Sequence, residues 1–207
     1  MDKQGKKGGR SRPQAVVVER PCWQPAEGGA ELGRALREDL RELLGSLPVL
    51  LEGAQVKDGA ALASLLARAQ APLLAVFEDV AGLPLLCAEG ALDSLRELPV
   101  VVGPCADGSL YALGVAQGLE PALVAELCDA ACGAGALGAV TDLLADAELE
   151  CTVLPPWFRV AGEGDLLFAE NLARLSLLSE GGEEDFIADR LRVWLERHRA
   201  GAAEGRP

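Results

Sequence analysis

Two apolar strands joined by a short turn make up residues 100–115, and this segment constrains the fold more than any other stretch of the chain. Its Val, Leu and Tyr residues suit a buried sheet. The turn contains Asp107 followed by Gly108. A carboxylate at a strand end can hold a metal ion or a sugar hydroxyl, whereas an aspartate before glycine is also common as a turn residue that hydrogen-bonds its own backbone. The segment therefore predicts a sheet with a candidate site at one edge, and it leaves both roles of Asp107 open.

Short apolar runs alternate with helical patterns along the chain. Residues 15–18 and 73–77 have the composition of buried strands, and residues 31–44 place leucines at helical spacing. Gly45 is expected to end this helix in a left-handed conformation, and Asp58 suits the N-cap of the next helix. Further elements are predicted at residues 48–51, 60–69, 88–98, 99–102, 121–132, 150–154 and 165–178, with a helix ending near 147 and a last helix from about 187. This alternation predicts a three-layer α/β/α sandwich around a mostly parallel central sheet.

The length and composition fit one domain. A chain of 207 residues can bury a continuous core, and that core must consist of Leu, Val and Ala because 50% of the residues are hydrophobic but only 4% are aromatic. We expect a disordered basic tail over residues 1–14, a single domain over residues 15–199 and a disordered tail over residues 200–207.

The charge distribution argues against nucleic acid as a partner of the folded part. The net charge is −13; residues 1–12 hold five basic residues and one acid, so the remainder has 14 basic against 31 acidic residues, or −17. Such a body repels a phosphate backbone. No apolar run reaches the roughly 18 residues that a membrane span needs. The six cysteines form no CxxC pair, and there is one histidine, which favours a reduced protein without zinc. We therefore expect a cytoplasmic protein without nucleic-acid or membrane partners.

Two acids fall at predicted strand ends, where ligands of such sheets bind. Asp79 follows the strand at residues 73–77, and Asp107 follows the strand that begins near residue 99. Asp79 can alternatively cap a helix or lie in a loop. The two acids therefore mark one edge of the sheet as the candidate site.

Three segments, in this order, resemble one family. They are Phe-Glu-Asp-Val-Ala-Gly-Leu at residues 77–83, the Gly-Pro-x-x-Asp-Gly-x-x-Tyr-x-Leu-Gly turn at residues 103–114, and the Leu-Pro-Pro-Trp segment from residue 154. Over about residues 15–198 the chain resembles GT-A-type glycosyltransferase-like proteins of the radical-SAM/selenodomain-associated transferase type, within the nucleotide-diphospho-sugar transferase superfamily, as a divergent member. The resemblance implies a GT-A fold with a nucleotide over the first strand and a divalent cation at strand ends.

The resemblance also implies roles for individual residues. Asp79 takes the metal or ribose position, and Asp79 and Asp107 together are the expected ligands of a Mg or Mn ion. Asp107 is the candidate catalytic residue. Arg20, Asp79 and Gly108 are the expected binding residues for a nucleotide or nucleotide sugar. Trp157 suits either an acceptor pocket or packing at the sheet edge.

Two departures from the family pattern weaken this chemistry. The family has a basic loop, Arg-x-Pro-x-x-Gly-x-x-Lys-Thr-Arg-Leu, after the first strand, whereas this chain has no Lys or Arg between Arg20 and Arg34. Each lost contact to phosphate is worth about 1.5 to 3 kcal/mol, which lowers nucleotide affinity by orders of magnitude. The family's later Asp-Val-Asp becomes Arg159-Val-Ala161, so an alanine stands at the expected metal position. Glu163 can supply the missing metal ligand only if the loop rearranges.

Arg20 and Arg159 have two interpretations. They can bind phosphate in place of the missing loop, or they can be surface arginines without that role. Three functions therefore stay open. The favoured one is a degenerate relative with weakened or lost metal-dependent transfer that still binds a ligand or partner. The alternatives are an active Mg- or Mn-dependent transferase that uses a nucleotide sugar or nucleoside triphosphate, and a non-catalytic structural or regulatory subunit.

The subunit hypothesis assigns a surface to the last helix. Its apolar face would form a homo-oligomer interface and consists of Ile187, Leu191, Trp194, Leu195 and His198.

Overall fold

A six-stranded sheet forms the centre of the chain in the computed structural model, which describes residues 12–20, 29–176, 178 and 189–204. The strands are β1 (Gln14–Val18), β2 (Leu50–Leu51), β3 (Leu73–Phe77), β4 (Val100–Pro104), β5 (Leu110–Val115) and β6 (Cys151–Val153). Their order is β2-β1-β3-β5-β4-β6, and within the described part β5 alone runs antiparallel to its neighbours. The other five strands are parallel, so their carboxyl ends share one edge of the sheet.

Helices cover both faces of this sheet. They are α1 (Gly29–Ser46), α2 (Gly59–Arg68), α3 (Leu85–Ser94), α4 (Pro121–Cys132), α5 (Ala136–Asp146), α6 (Glu163–Ser176) and α7 (Asp189–Glu204). Successive strand residues point to opposite faces. Accordingly, Val17 packs in the cluster beneath α1 and α3, whereas Val16 and Val18 pack in the cluster beneath α2, α4 and α5. The predicted three-layer α/β/α class is confirmed.

A third buried cluster joins α1 to α6 and α7. It contains Leu36, Ala169 and Trp194, among others. Asp39 of α1 fixes the start of α7, because its carboxylate accepts the backbone N–H of Leu191 at 2.9 Å and that of Arg190 at 3.3 Å. Burial raises the pKa of Asp39, although these hydrogen bonds and the Arg190 guanidinium oppose the shift.

Several predicted elements are confirmed by the fold. The side chain of Asp58 caps α2 by accepting the N–H of Ala61 at 2.7 Å. The left-handed cap at Gly45 is wrong: α1 continues to Ser46, and Gly45 is absent from the positive-φ residues of the described chain. The third helix begins at Leu85, after Pro84, rather than at residue 88.

The last helix was predicted in outline. It runs to Glu204, past the expected boundary at residue 199, while Ile187 lies outside the described residues. Leu191, Trp194 and Leu195 are buried in the third cluster, and His198 stacks on Trp194 with ring centroids 4.8 Å apart. None of the helices in the described ranges is long and apolar enough to cross a membrane.

Candidate functional site

Four charged side chains that are distant in sequence meet beyond the carboxyl ends of the parallel strands. Arg20 follows β1, Asp79 follows β3, Asp107 lies in the turn after β4, and Arg159 lies in the segment after β6. Ligands of open α/β sheets bind at this edge. The predicted site residues Arg20, Asp79 and Asp107 are therefore brought together, with Arg159 between them.

Arg20 and Asp79 form a buried ion pair. Nε of Arg20 is 2.6 Å from Oδ2 of Asp79, and their side chains are 6% and 0% exposed. The same guanidinium donates through Nη2 to the carbonyl oxygen of Leu110 at 2.6 Å, and it lies 4.4 Å from the ring centroid of Phe77. These contacts enclose the Arg20 guanidinium, which is therefore committed to the protein interior rather than presented to an incoming phosphate.

Arg159 bridges the two predicted acids. Its Nη1 donates to Oδ2 of Asp79 at 3.0 Å, and its Nε lies 2.8 Å from Oδ2 of Asp107. The Arg159 side chain is 22% exposed and that of Asp107 is 45% exposed, so this pair faces outward above the buried Asp79. One guanidinium thus balances part of the charge of both carboxylates.

The second oxygen of Asp107 belongs to the turn. Oδ1 accepts the backbone N–H of Ser109 at 3.0 Å and the Ser109 hydroxyl at 2.6 Å. Gly108 has a φ of +81°, which a side chain would strain, and its N–H donates to the carbonyl of Cys105. The turn role of Asp107 is confirmed, and it leaves Oδ2 to contact Arg159.

A third acid, Glu78, extends the charged group to Arg37. Its Oε2 accepts from Nε of Arg37 at 2.9 Å and lies 2.8 Å from Nη2, while Oε1 accepts the backbone N–H of Arg20 at 3.2 Å. Contacts of 3.2 Å or less thus join six residues into what we call the site cluster: Arg20, Arg37, Glu78, Asp79, Asp107 and Arg159. Three acids face three bases, so the cluster is formally neutral. Glu19 lies further away, 3.9 Å from Arg37.

The pKa values of the two central carboxyls shift in opposite directions. Desolvation raises the pKa of Asp79, and the charges of Arg20 and Arg159 oppose this shift. Partial burial also disfavours the charged form of Asp107, but the Ser109 hydrogen bonds and Arg159 outweigh it and lower the pKa of that carboxyl. The buried Asp79 charge therefore depends on its arginines, whereas the Asp107 charge is also supported by its own turn.

The segment after β6 holds Arg159 in place. The backbone N–H of Trp157 donates to the carbonyl of Pro104 at 3.0 Å, and that of Val160 donates to the carbonyl of Asp79 at 2.7 Å. The indole Nε1 of Trp157 donates to the carbonyl of Ala81 at 2.8 Å. Trp157 thus packs at the sheet edge and fastens this segment to two others.

The site cluster does not fit a divalent cation. Both available acids, Asp79 and Asp107, already contact the Arg159 guanidinium, and hard cations require several oxygen ligands. Ala161 offers no side-chain oxygen, and its N–H donates to Asp165. No group of three or more His, Cys, Asp or Glu side chains placed to hold a metal occurs within the described ranges.

Sequence reasoning missed part of this cluster. Glu78 and Arg37 were not predicted as site residues, and Arg159 was considered for phosphate or surface roles rather than as a partner of acids. One signal was available: two consecutive acids, Glu78 and Asp79, directly follow a fully buried strand. Buried carboxylates require cationic partners, so arginines from elsewhere in the chain had to reach them.

The fold is shared with a solved structure. The chain matches the crystal structure of a "putative nucleotide-diphospho-sugar transferase" from Desulfovibrio desulfuricans G20 with a TM-score of 0.65 and 16% sequence identity, over 94% of this chain and 98% of that chain. A match at this identity shows the fold and not the activity. No protein-family model matches the chain, and no curated protein matches it significantly. The chain has the nucleotide-diphospho-sugar transferase fold, as the sequence resemblance predicted.

Proposed function

We propose that this chain is a degenerate relative of nucleotide-diphospho-sugar transferases that binds a nucleotide-type ligand or a partner at the site cluster without metal-dependent transfer. One observation carries the proposal: the Arg159 guanidinium contacts both Asp79 and Asp107, the two acids that a catalytic cation would need. The cation-binding oxygens are already neutralised by the chain itself.

Electrostatics makes a cation unfavourable here. Two unit charges 4 Å apart interact by about 4 kcal/mol at an effective dielectric constant of 20, and a dication roughly doubles this repulsion from each guanidinium. Arg20 and Arg159 both lie beside the carboxylates that would bind it. A cation would enter a neutral cluster rather than an acidic one.

A nucleotide diphosphate would also be bound weakly. Transferases stabilise the developing diphosphate charge with cations or basic side chains. The described bases of the site cluster are matched one for one by acids, and the sequence lacks the basic loop after β1. We therefore expect weak nucleotide binding that does not depend on metal.

The alternative, an active Mg- or Mn-dependent transferase, has one supporting observation. Asp79 and Asp107 do approach the same group, Arg159, so they converge as metal ligands would. This function requires the Arg159 side chain to move away when the cation binds. The subunit alternative has less support, because Leu191, Trp194 and Leu195 of α7 are buried within the chain instead of forming an exposed interface.

Calorimetry and a donor-hydrolysis assay test the proposal. The full chain is titrated with nucleotide sugars and nucleoside triphosphates, each with and without Mg or Mn. We expect no turnover of the donor and the same weak affinity in both conditions. Metal-dependent binding or turnover that is lost in Asp107→Asn and retained in the surface control Asp93→Asn would establish the transferase alternative instead.

A further inference from the structure

The Arg159 guanidinium lies between Asp79 and Asp107, where a cation bound by both acids would lie. We infer that Arg159 is a built-in substitute for a divalent cation, and that Asp79 and Asp107 form a latent cation site which opens when Arg159 is replaced. The inference rests on the proposed function, because that function requires the native site to be closed to the cation.

The geometry around Arg159 supports this inference. Two nitrogens of a single planar guanidinium contact two carboxylates, at 3.0 Å for Asp79 and 2.8 Å for Asp107. The two acids come from different strand ends, 28 positions apart by number, and share no other common partner in the contacts above. Their approach to one compact positive group is what a shared cation requires of its ligands.

Asp79 also has unused capacity to accept. The Asp79 side chain is 0% exposed, so its Oδ1 is shielded from water, and this oxygen lacks a hydrogen-bond partner among the described residues. Buried acceptors without a donor are uncommon, because such an oxygen has lost its water without replacement. A hard cation or its bound water would satisfy this oxygen.

Position 159 is well placed to supply a further ligand. Its backbone pairs with Val80 in an antiparallel bridge, and the next residue, Val160, donates its N–H to the carbonyl of Asp79. The backbone therefore stays beside Asp79 when the side chain changes. Arg159→Asp exchanges the blocking guanidinium for a third carboxylate.

The test measures the binding of Mn²⁺ in the absence of nucleotide. Electron paramagnetic resonance gives the concentration of free Mn²⁺, and thermal denaturation gives the stabilisation by bound Mn²⁺. Wild type is compared with Arg159→Asp, Arg159→Gln and Arg96→Asp; the last makes the same charge change at an exposed pair with Asp93. We expect at least tenfold tighter Mn²⁺ binding in Arg159→Asp than in wild type. Its Tm should rise by about 5 to 10 °C at 100 times its Kd, and Mg²⁺ should compete.

Each outcome decides a separate point. Tight Mn²⁺ binding by wild type overturns the proposed function, and this measurement requires no variant. If wild type does not bind Mn²⁺ tightly, an equal gain in Mn²⁺ affinity in Arg96→Asp overturns the inference. Such a gain would show that the added negative charge alone increases Mn²⁺ binding, wherever it is placed. If Arg159→Asp does not fold, Arg159→Gln decides: saturable Mn²⁺ binding supports a latent site, and its absence overturns it.

Discussion

Tyr111 donates a hydrogen bond from its hydroxyl to the carbonyl oxygen of Pro155, at 3.1 Å. The Tyr111 side chain is fully buried, and Gly103 lies against its ring: a Cβ there would be 2.6 Å from a ring carbon. This contact joins two of the three sequence segments that resemble the family, the turn at residues 103–114 and the Leu-Pro-Pro-Trp segment. The glycine and tyrosine of the first motif therefore have structural explanations that need no catalytic role.

We predict that Tyr111→Phe lowers the free energy of unfolding by about 1 kcal/mol. The variant keeps the ring but leaves the Pro155 carbonyl without this donor, and a typical hydrogen bond contributes about this much. Urea denaturation measures the change. Tyr111→Ala should lose about 3 to 5 kcal/mol because it also empties the space beside Gly103. An unchanged stability in Tyr111→Phe would contradict the hydrogen-bond contribution, and equal losses in the two variants would contradict the packing contribution of the ring.

Asp79→Asn should destabilise the fold by about 3 to 5 kcal/mol. The change leaves the buried Arg20 guanidinium without its carboxylate partner, and an uncompensated buried charge has this effect. Asp107→Asn, at a partly exposed pair, should lose less than about 1 kcal/mol. The double variant Arg20→Met with Asp79→Leu should lose less than Asp79→Asn alone. Denaturation of all three proteins tests this, and a double variant worse than the single one would contradict it.

The pH dependence of Asp107→Asn follows from the lowered pKa of Asp107. A lowered folded-state pKa means that the ionised carboxyl stabilises the fold above its ordinary pKa of about 3.9, and that this contribution is lost as the pH falls through the folded value. The stability difference between wild type and Asp107→Asn should therefore be constant near neutrality and shrink below about pH 4. Urea midpoints at a series of pH values measure it. A difference that grows on acidification would refute the assignment.

Two glycine-to-alanine changes should have opposite signs. A Cβ at Gly59 would lie 2.5 Å from the Cα of Asp129, so Gly59→Ala forces α2 and α4 apart, with a loss of about 1 to 3 kcal/mol. A Cβ at Gly90, inside α3, meets nothing within 4 Å. Gly90→Ala should therefore stabilise by about 0.5 to 1 kcal/mol. Thermal denaturation of both variants checks the signs, and two destabilised proteins would contradict the open space at Gly90.

Most of the fold could be predicted because its elements are determined locally. The buried run of β3 and the cap at Asp58 depend on neighbouring residues, and both were predicted at their positions. The end of α1 was mispredicted because Gly45 permits a left-handed cap but does not require one. The predicted start of α3 is late because its first turn, residues 85–88, is apolar at every position and therefore shows no helical periodicity, although Leu85 and Leu86 are exposed in the fold.

The site could be predicted only in part, for a different reason. Sequence position indicated that Asp79 and Asp107 lie at strand ends, since parallel strands share an edge. The ion pairs of Arg159 join residues 80 and 52 positions away, and no local pattern encodes such distances. The replacement of a family aspartate by Arg159 was visible, but its meaning depends on knowing which acids it reaches.

The bridge made by Arg159 also affects how the protein responds to its surroundings. A bound metal exchanges with solution, so its occupancy follows concentration and competes with chelators and other ligands. The Arg159 guanidinium is covalently part of the chain and does not exchange with solution. The positive charge between Asp79 and Asp107 is therefore set by the sequence. It stays the same whether the magnesium concentration is high or low.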